Sequence, residues 1–114
     1  MSLVINENLI ALPNISSIEF VDAQDILYLE ADGNYTIFHL VNNITKVVSK
    51  NIGGYEKVLP INFFFRIHHK YIINFNKVSL ISKTDGYCCE LKNGEALPVA
   101  KRRQEELRKF LKLK

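Results

Sequence analysis

Several things are missing from this chain. No apolar run approaches the roughly 20 residues a membrane helix needs. No Pro/Gly/Ser-rich linker, internal repeat or low-complexity segment interrupts its 114 residues. The start, Met1 to Leu12, has no basic stretch, and Asn6, Glu7 and Asn8 break its apolar character. It is therefore no secretory signal, and the expected compartment is the cytoplasm. Cysteine is scarce: Cys88 and Cys89 are adjacent, and neighbours in a strand point to opposite faces. They read as free thiols, one of them buried. No CxxC or HxxxH spacing offers a metal site. Nucleophile elbow, P-loop, GxGxxG and zinc-protease motifs are all absent. No enzyme, cofactor or metal is expected.

What is present is ordinary globular material, 47% hydrophobic and 24% charged. That composition excludes a disordered tail, a collagen-like chain and a coiled coil. The length fits one domain over residues 1–114. Residues 1–8 are expected to be partly disordered or foreign to the domain, with Met1-Ser2-Leu3 resembling a cloning scar. The net charge of +3 hides an asymmetry: residues 1–60 carry −4 and residues 61–114 carry +7. A basic half on a small domain fits a polyanion binder, and equally a solvated surface with no partner.

Short β-like runs separated by turn signals dominate the pattern. They are residues 9–12, 15–21, 26–31, 35–41, 44–49, 63–67, 71–75, 78–82, 87–91 and 96–99. Asp32-Gly33-Asn34 is a turn signal, and Asn42-Asn43 marks a tight hairpin. Asn93-Gly94 reads as a type I′ hairpin turn. Residues 51–59 suggest a short helix, weakened by two glycines and ended by Pro60. A terminal helix is expected over residues 101–113, with Leu107, Phe110 and Leu111 as its apolar stripe. The fold class is therefore mostly β, small antiparallel sheets with one short internal helix and a C-terminal helix. Leu27, Leu29, Ile37, Phe64, Ile72, Val99 and Phe110 are the expected core.

Few residues are placed for chemistry. His39 lies inside a strand and reads as structural. Glu30 and Asp32 share one strand face, with Asp32 explained as a turn residue. In Phe64-Phe65-Arg66-Ile67-His68-His69-Lys70-Tyr71 the apolar alternation fails at His68, His69 and Lys70, which marks a bend or exposed edge. Imidazoles there suit base edges or phosphates, and Lys70 suits a phosphate. His68 is also suited to bracing the bend from within. Arg66 has two roles open to it, phosphate contact or bracing through an acidic residue such as Glu30. Asn74 is expected to organise the turn before Asn76. Lys101, Arg102 and Arg103 fall where a strand passes into a helix. Cations are unfavourable at a helix N-terminus unless a phosphate sits nearby. A solvated charge run fits the same residues.

Three blocks carry a resemblance. They are Asp25-Ile26-Leu27-Tyr28-Leu29-Glu30-Ala31-Asp32-Gly33-Asn34-Tyr35-Thr36, then Phe64 to Asn74, then Leu91 to Arg102. Together, in order and spacing, they make the chain resemble the LytTR-type DNA-binding domain, the output domain of many bacterial response regulators. The resemblance spans Leu9 to Leu111. It implies an elongated arrangement of small sheets whose loops enter successive major grooves of double-stranded DNA. It assigns one contact set to Asn34 and Tyr35, a second to His69 and Lys70, and a third to Lys101 and Arg102. It also implies paired direct repeats as target, a homodimer on DNA, and a receiver domain in a longer protein.

The chain departs from the family pattern R-x-H-[RK]-S-[YF] at two positions. His69 stands for a common Arg or Lys, which makes that contact pH-sensitive. Lys70 stands for a small Ser. Lys101 replaces a common arginine and lacks its planar two-pronged contact with guanine. The competing readings are a β interaction module docking an acidic protein, and a redox or metal sensor built on Cys88, Cys89 and a histidine.

Overall fold

The computed structural model describes residues 8–113, and of the expectation for residues 1–8 all but Asn8 lies outside them. Among the described residues, ten strands form three antiparallel sheets. Strands β1 (Leu9–Pro13) and β2 (Ile18–Asp22) make a hairpin. Strands β3 (Ile26–Asp32), β4 (Tyr35–Leu40), β5 (Thr45–Val48), β6 (Phe64–His68) and β7 (Tyr71–Asn74) form the central sheet in the order β5-β4-β3-β7-β6. Strands β8 (Val78–Ser82), β9 (Cys88–Leu91) and β10 (Ala96–Pro98) form the third, in the order β10-β9-β8. Helix α1 (Ile52–Glu56) follows β5, and α2 (Gln104–Phe110) ends the fold. None of the described helices is long and apolar enough to cross a membrane.

The central sheet is covered on both faces, which explains why β3 and β7 carry apolar residues at successive positions. One face presents Ile26, Leu29, Phe38, Leu40 and Ile72 to the β1–β2 hairpin and α1. The other presents Tyr28, Ile67 and Ile73 to Cys89, Leu91 and Leu97 of the third sheet and Leu107 of α2. Each fully buried Leu or Ile contributes about 1.5–3 kcal/mol. Two cores stacked along one sheet give an elongated molecule, 48 × 35 × 25 Å, with a radius of gyration of 14.6 Å. A compact domain of this length would have about 13 Å.

Local chemistry sets the turns. Gly33 takes φ 60° at the first position of the two-residue β3–β4 loop, where a II′-type turn needs glycine. Asn42 and Asn43 both adopt left-handed φ (64° and 59°), as a I′ turn demands. The Asn93-Gly94 expectation is corrected. Only Gly94 is left-handed (φ 96°), and the loop is three residues long, closed by Leu91 N–H donating to the Glu95 carbonyl. Asn93 stabilises it by accepting from the Glu95 N–H at 2.9 Å. Helix α1 is shorter than its sequence suggests. The Asn51 side chain caps it, and burial of Ile52 and Tyr55 holds it where propensity does not.

The core expectation holds for Leu29, Phe64, Ile72 and Val99. Leu27 and Phe110 pack against the second core while only partly buried. Ile37 is the correction: it lies on the second face, only half-buried, paired with exposed Val47. Cys89 is buried and Cys88 half-exposed.

Candidate nucleic-acid interface

Two backbone hydrogen bonds tie the three segments together. The Ala31 N–H donates to the Lys70 carbonyl at 2.8 Å, setting the β3–β4 turn beside the bend after β6. The Ala100 N–H donates to the Ile67 carbonyl at 2.8 Å, setting the segment after β10 beside that same bend. Arg102 lies close enough to His68 to act on it electrostatically.

The nine residues singled out from sequence divide by exposure. Asn34, Tyr35, His69, Lys70, Lys101 and Arg102 are exposed. Arg66, His68 and Arg103 are drawn inward. Arg66 braces the bend: Nε donates to the His68 carbonyl at 3.3 Å and Nη2 to the His69 carbonyl at 2.6 Å. Its acidic partner is Glu56 at 3.0 Å, not Glu30, because the β6–β7 register turns the arginine toward α1. Lysine, with one ammonium, could not hold this three-way geometry.

His68 completes the bend. Its Nδ1 accepts from the Lys70 backbone N–H at 3.1 Å, which requires that nitrogen unprotonated. Burial lowers the His68 pKa, and the positive field of His69, Lys70 and Arg102 adds to the effect. The neutral imidazole is thus the form that fits the turn. The His69 ring leans on it, with centroids 4.3 Å apart.

The third segment differs from the expected helix over residues 101–113. Lys101–Arg103 forms a tight 3-10 turn, and α2 begins at Gln104. The three cations therefore precede the helix. Its own first turn carries Glu105 and Glu106 and its last turn Arg108 and Lys109, matching the helix dipole. Arg103 folds back to Glu106 at 3.3 Å, with its side chain only 18% exposed. Lys101 and Arg102 are left outward.

Beneath the exposed residues lies a polar network that the sequence did not announce. Glu30 takes His39 at 2.9 Å and Lys70 at 3.6 Å. The His39 ring stacks on Tyr28 at 4.2 Å, and the Tyr28 hydroxyl donates to Glu95 at 2.8 Å. Burial, reinforced by Glu95, pushes the Tyr28 hydroxyl well above its ordinary pKa, keeping it a donor. The only advance signal was the position of Tyr28, Glu30 and His39 in adjacent strands. Lys70, also near the Tyr71 ring, is thereby oriented from below. Asp32, two residues beyond Glu30 on the same face, is exposed. Among the described residues, no three His, Cys, Asp or Glu side chains gather as metal ligands.

Comparison with known proteins agrees with this geometry. The family model of the LytTr DNA-binding domain matches residues 16–112. The sensory transduction protein LytT of Bacillus cereus is 32% identical over 107 residues, covering 91% of this chain and 43% of that protein. LytT of Bacillus subtilis strain 168 is 30% identical over 105 residues, covering 90% and 43%. The chain thus spans less than half the length of these relatives. Among solved structures, a LytTr DNA-binding domain of a Bacillus cereus protein described as a methyl-accepting/DNA response regulator superposes with TM-score 0.79. It is 24% identical, over 91% of this chain and 96% of that one, and so speaks for the fold. Fold, matched segments and relatives converge: this chain belongs to the LytTR family of DNA-binding domains.

Proposed function

We propose that this chain is a single DNA-reading output domain of a bacterial response regulator, acting in the cytoplasm without chemistry or a cofactor of its own. It recognises a specific double-stranded sequence by placing three segments in successive major grooves. Asn34, Tyr35, His69 and Lys101 lie nearest the bases, and Lys70 and Arg102 neutralise phosphates. Arg66, His68 and Arg103 serve the interface from behind, by holding the bend and the turn that present the others. Two copies bind side by side on direct repeats, and a receiver domain occupies the remainder of the longer protein. The observation that carries the reading is the clustering of six exposed residues from three separate segments, locked together by the Ala31–Lys70 and Ala100–Ile67 hydrogen bonds.

The test is selection from a random duplex pool, followed by affinity against salt for the winning sequence. A recurring motif is expected, with affinity falling steeply as salt rises, about 0.9 log units per log unit of salt for each phosphate neutralised. Arg102→Ala should lower that slope by about one. Lys83→Ala, in the exposed loop between β8 and β9, should leave it unchanged. Failure to enrich any sequence, with binding no tighter than to generic duplex, refutes the reading and favours a basic face for an acidic protein.

A further inference from the structure

Asp32 is out of place among the cations of the interface. It is exposed at the tip of the β3–β4 hairpin, paired with Tyr35 and adjacent to Gly33-Asn34. Glu30, its neighbour on the same face, contacts His39 at 2.9 Å and Lys70 at 3.6 Å. The Asp32 carboxylate has neither a cation nor a hydrogen-bond donor beside it among the described residues. Nor does it serve the turn. Asn14, Asp22, Asn51, Asn74 and Asn93 each accept a following backbone N–H with their side chains. Asp32 accepts none, and Gly33 makes the turn by its own φ of 60°.

We propose that Asp32 is a specificity-determining residue of this interface, whose carboxylate accepts a hydrogen bond from an exocyclic base amine in the major groove. The inference rests on the DNA-reading function proposed above. An ionised carboxylate is an acceptor only. In the major groove the only base donors are cytosine N4 and adenine N6, whereas guanine O6 and N7 and thymine O4 are acceptors. Asp32 therefore attracts cytosine or adenine and repels guanine or thymine at the position it faces. Against phosphate it is repulsive everywhere, so it weakens generic binding while sharpening the specific one. Selectivity built by a penalty on wrong partners is a general device.

The experiment repeats the random-pool selection with the wild type, Asp32→Ala and Asp32→Asn, with thermal melts to establish that each is folded. The wild-type motif should contain one position restricted to cytosine or adenine, preferred roughly tenfold or more over guanine and thymine. The selection itself shows which of the two. Asp32→Ala should level that position to within about twofold, keep the rest of the motif, and bind generic duplex more tightly. Asp32→Asn, which conserves shape and can both donate and accept, should shift the preference toward adenine. An identical motif from the wild type and both variants overturns the role of Asp32 and leaves the DNA reading standing. A wild type that enriches nothing overturns that reading, and the inference with it.

Discussion

Replacing Arg66 separates a brace from a phosphate contact. Its guanidinium spans the carbonyls of His68 and His69 and the carboxylate of Glu56, with the side chain 18% exposed. Hydrogen bonds from a charged donor contribute about 1.5–3 kcal/mol each. The Nε contact is long at 3.3 Å, so it belongs at the bottom of that range. Glu56 is 43% exposed, which limits the ion pair to about 0–1 kcal/mol. Since the losses overlap, Arg66→Ala should cost about 2–4 kcal/mol. At about 4 °C per kcal/mol for a domain of this length, the melting temperature should fall by roughly 8–16 °C. Arg66→Lys should recover little, because one ammonium cannot span two carbonyls and a carboxylate. DNA affinity should drop roughly tenfold if one residue of the bend must be re-ordered on binding. The slope of affinity against salt should stay that of the wild type, because no phosphate contact is lost. Anisotropy titrations over a salt series and a thermal melt measure both quantities. A slope lower by about one with an unchanged melting temperature would refute the brace.

Three further outcomes are expected. The lowered pKa of His68 means the unfolded chain takes up its proton first on acidification. Its contribution to stability is complete above the unfolded value of about 6.5 and is lost as pH falls from there toward the folded value. Urea midpoints from about pH 7.5 to 5 should therefore fall less in His68→Gln than in the wild type, and parallel curves would contradict this. Asn74 is fully buried, donating to the Ile26 carbonyl at 2.9 Å and accepting from the Asn76 N–H at 2.8 Å. Asn74→Ala should cost about 2–4 kcal/mol in chemical denaturation, and a loss under about 1 kcal/mol would contradict the buried bonds. Burial holds the Cys89 thiol at about 12. An alkylating reagent at neutral pH should modify Cys88 in the native protein and Cys89 only after unfolding, which mass spectrometry resolves.

The sequence displayed faces and turns more readily than coverage. In β4 the sequence marked Ile37 for the core, whereas its neighbour Phe38, on the opposite face, is the fully buried one. Alternation said nothing of how completely each position is covered, so Ile37 counted as core although it is only half-buried. The side chains that organise turns follow from neighbours within three residues, and Asn74 was legible for that reason. The bracing role of Arg66 was legible too, but not its partner, because Glu56 comes from a helix ten residues earlier whose placement depends on packing. The basic run 101–103 looked uniform. Its division into two outward cations and one folded back follows from the 3-10 turn, which periodicity does not reveal. The bend at residues 68–70 announced itself by broken alternation, with His68 suited to bracing it, but that its Nδ1 accepts the Lys70 N–H required coordinates.

The hydrogen-bond tethers also differ in kind. The turn at residues 33–34 and the bend at residues 68–70 belong to one sheet, on adjacent strands β3 and β7, so their separation is fixed by a ladder of backbone bonds. The segment at residues 101–103 comes from outside that sheet and meets it through the Ala100–Ile67 bond and the packing of Leu107 and Phe110. On the DNA-reading function proposed above, the domain carries a two-point caliper set by a sheet ladder and a third arm set by one backbone bond and side-chain packing. Target sites should then tolerate an altered spacing between the half read by the arm and the rest, while any change between the two caliper points breaks recognition.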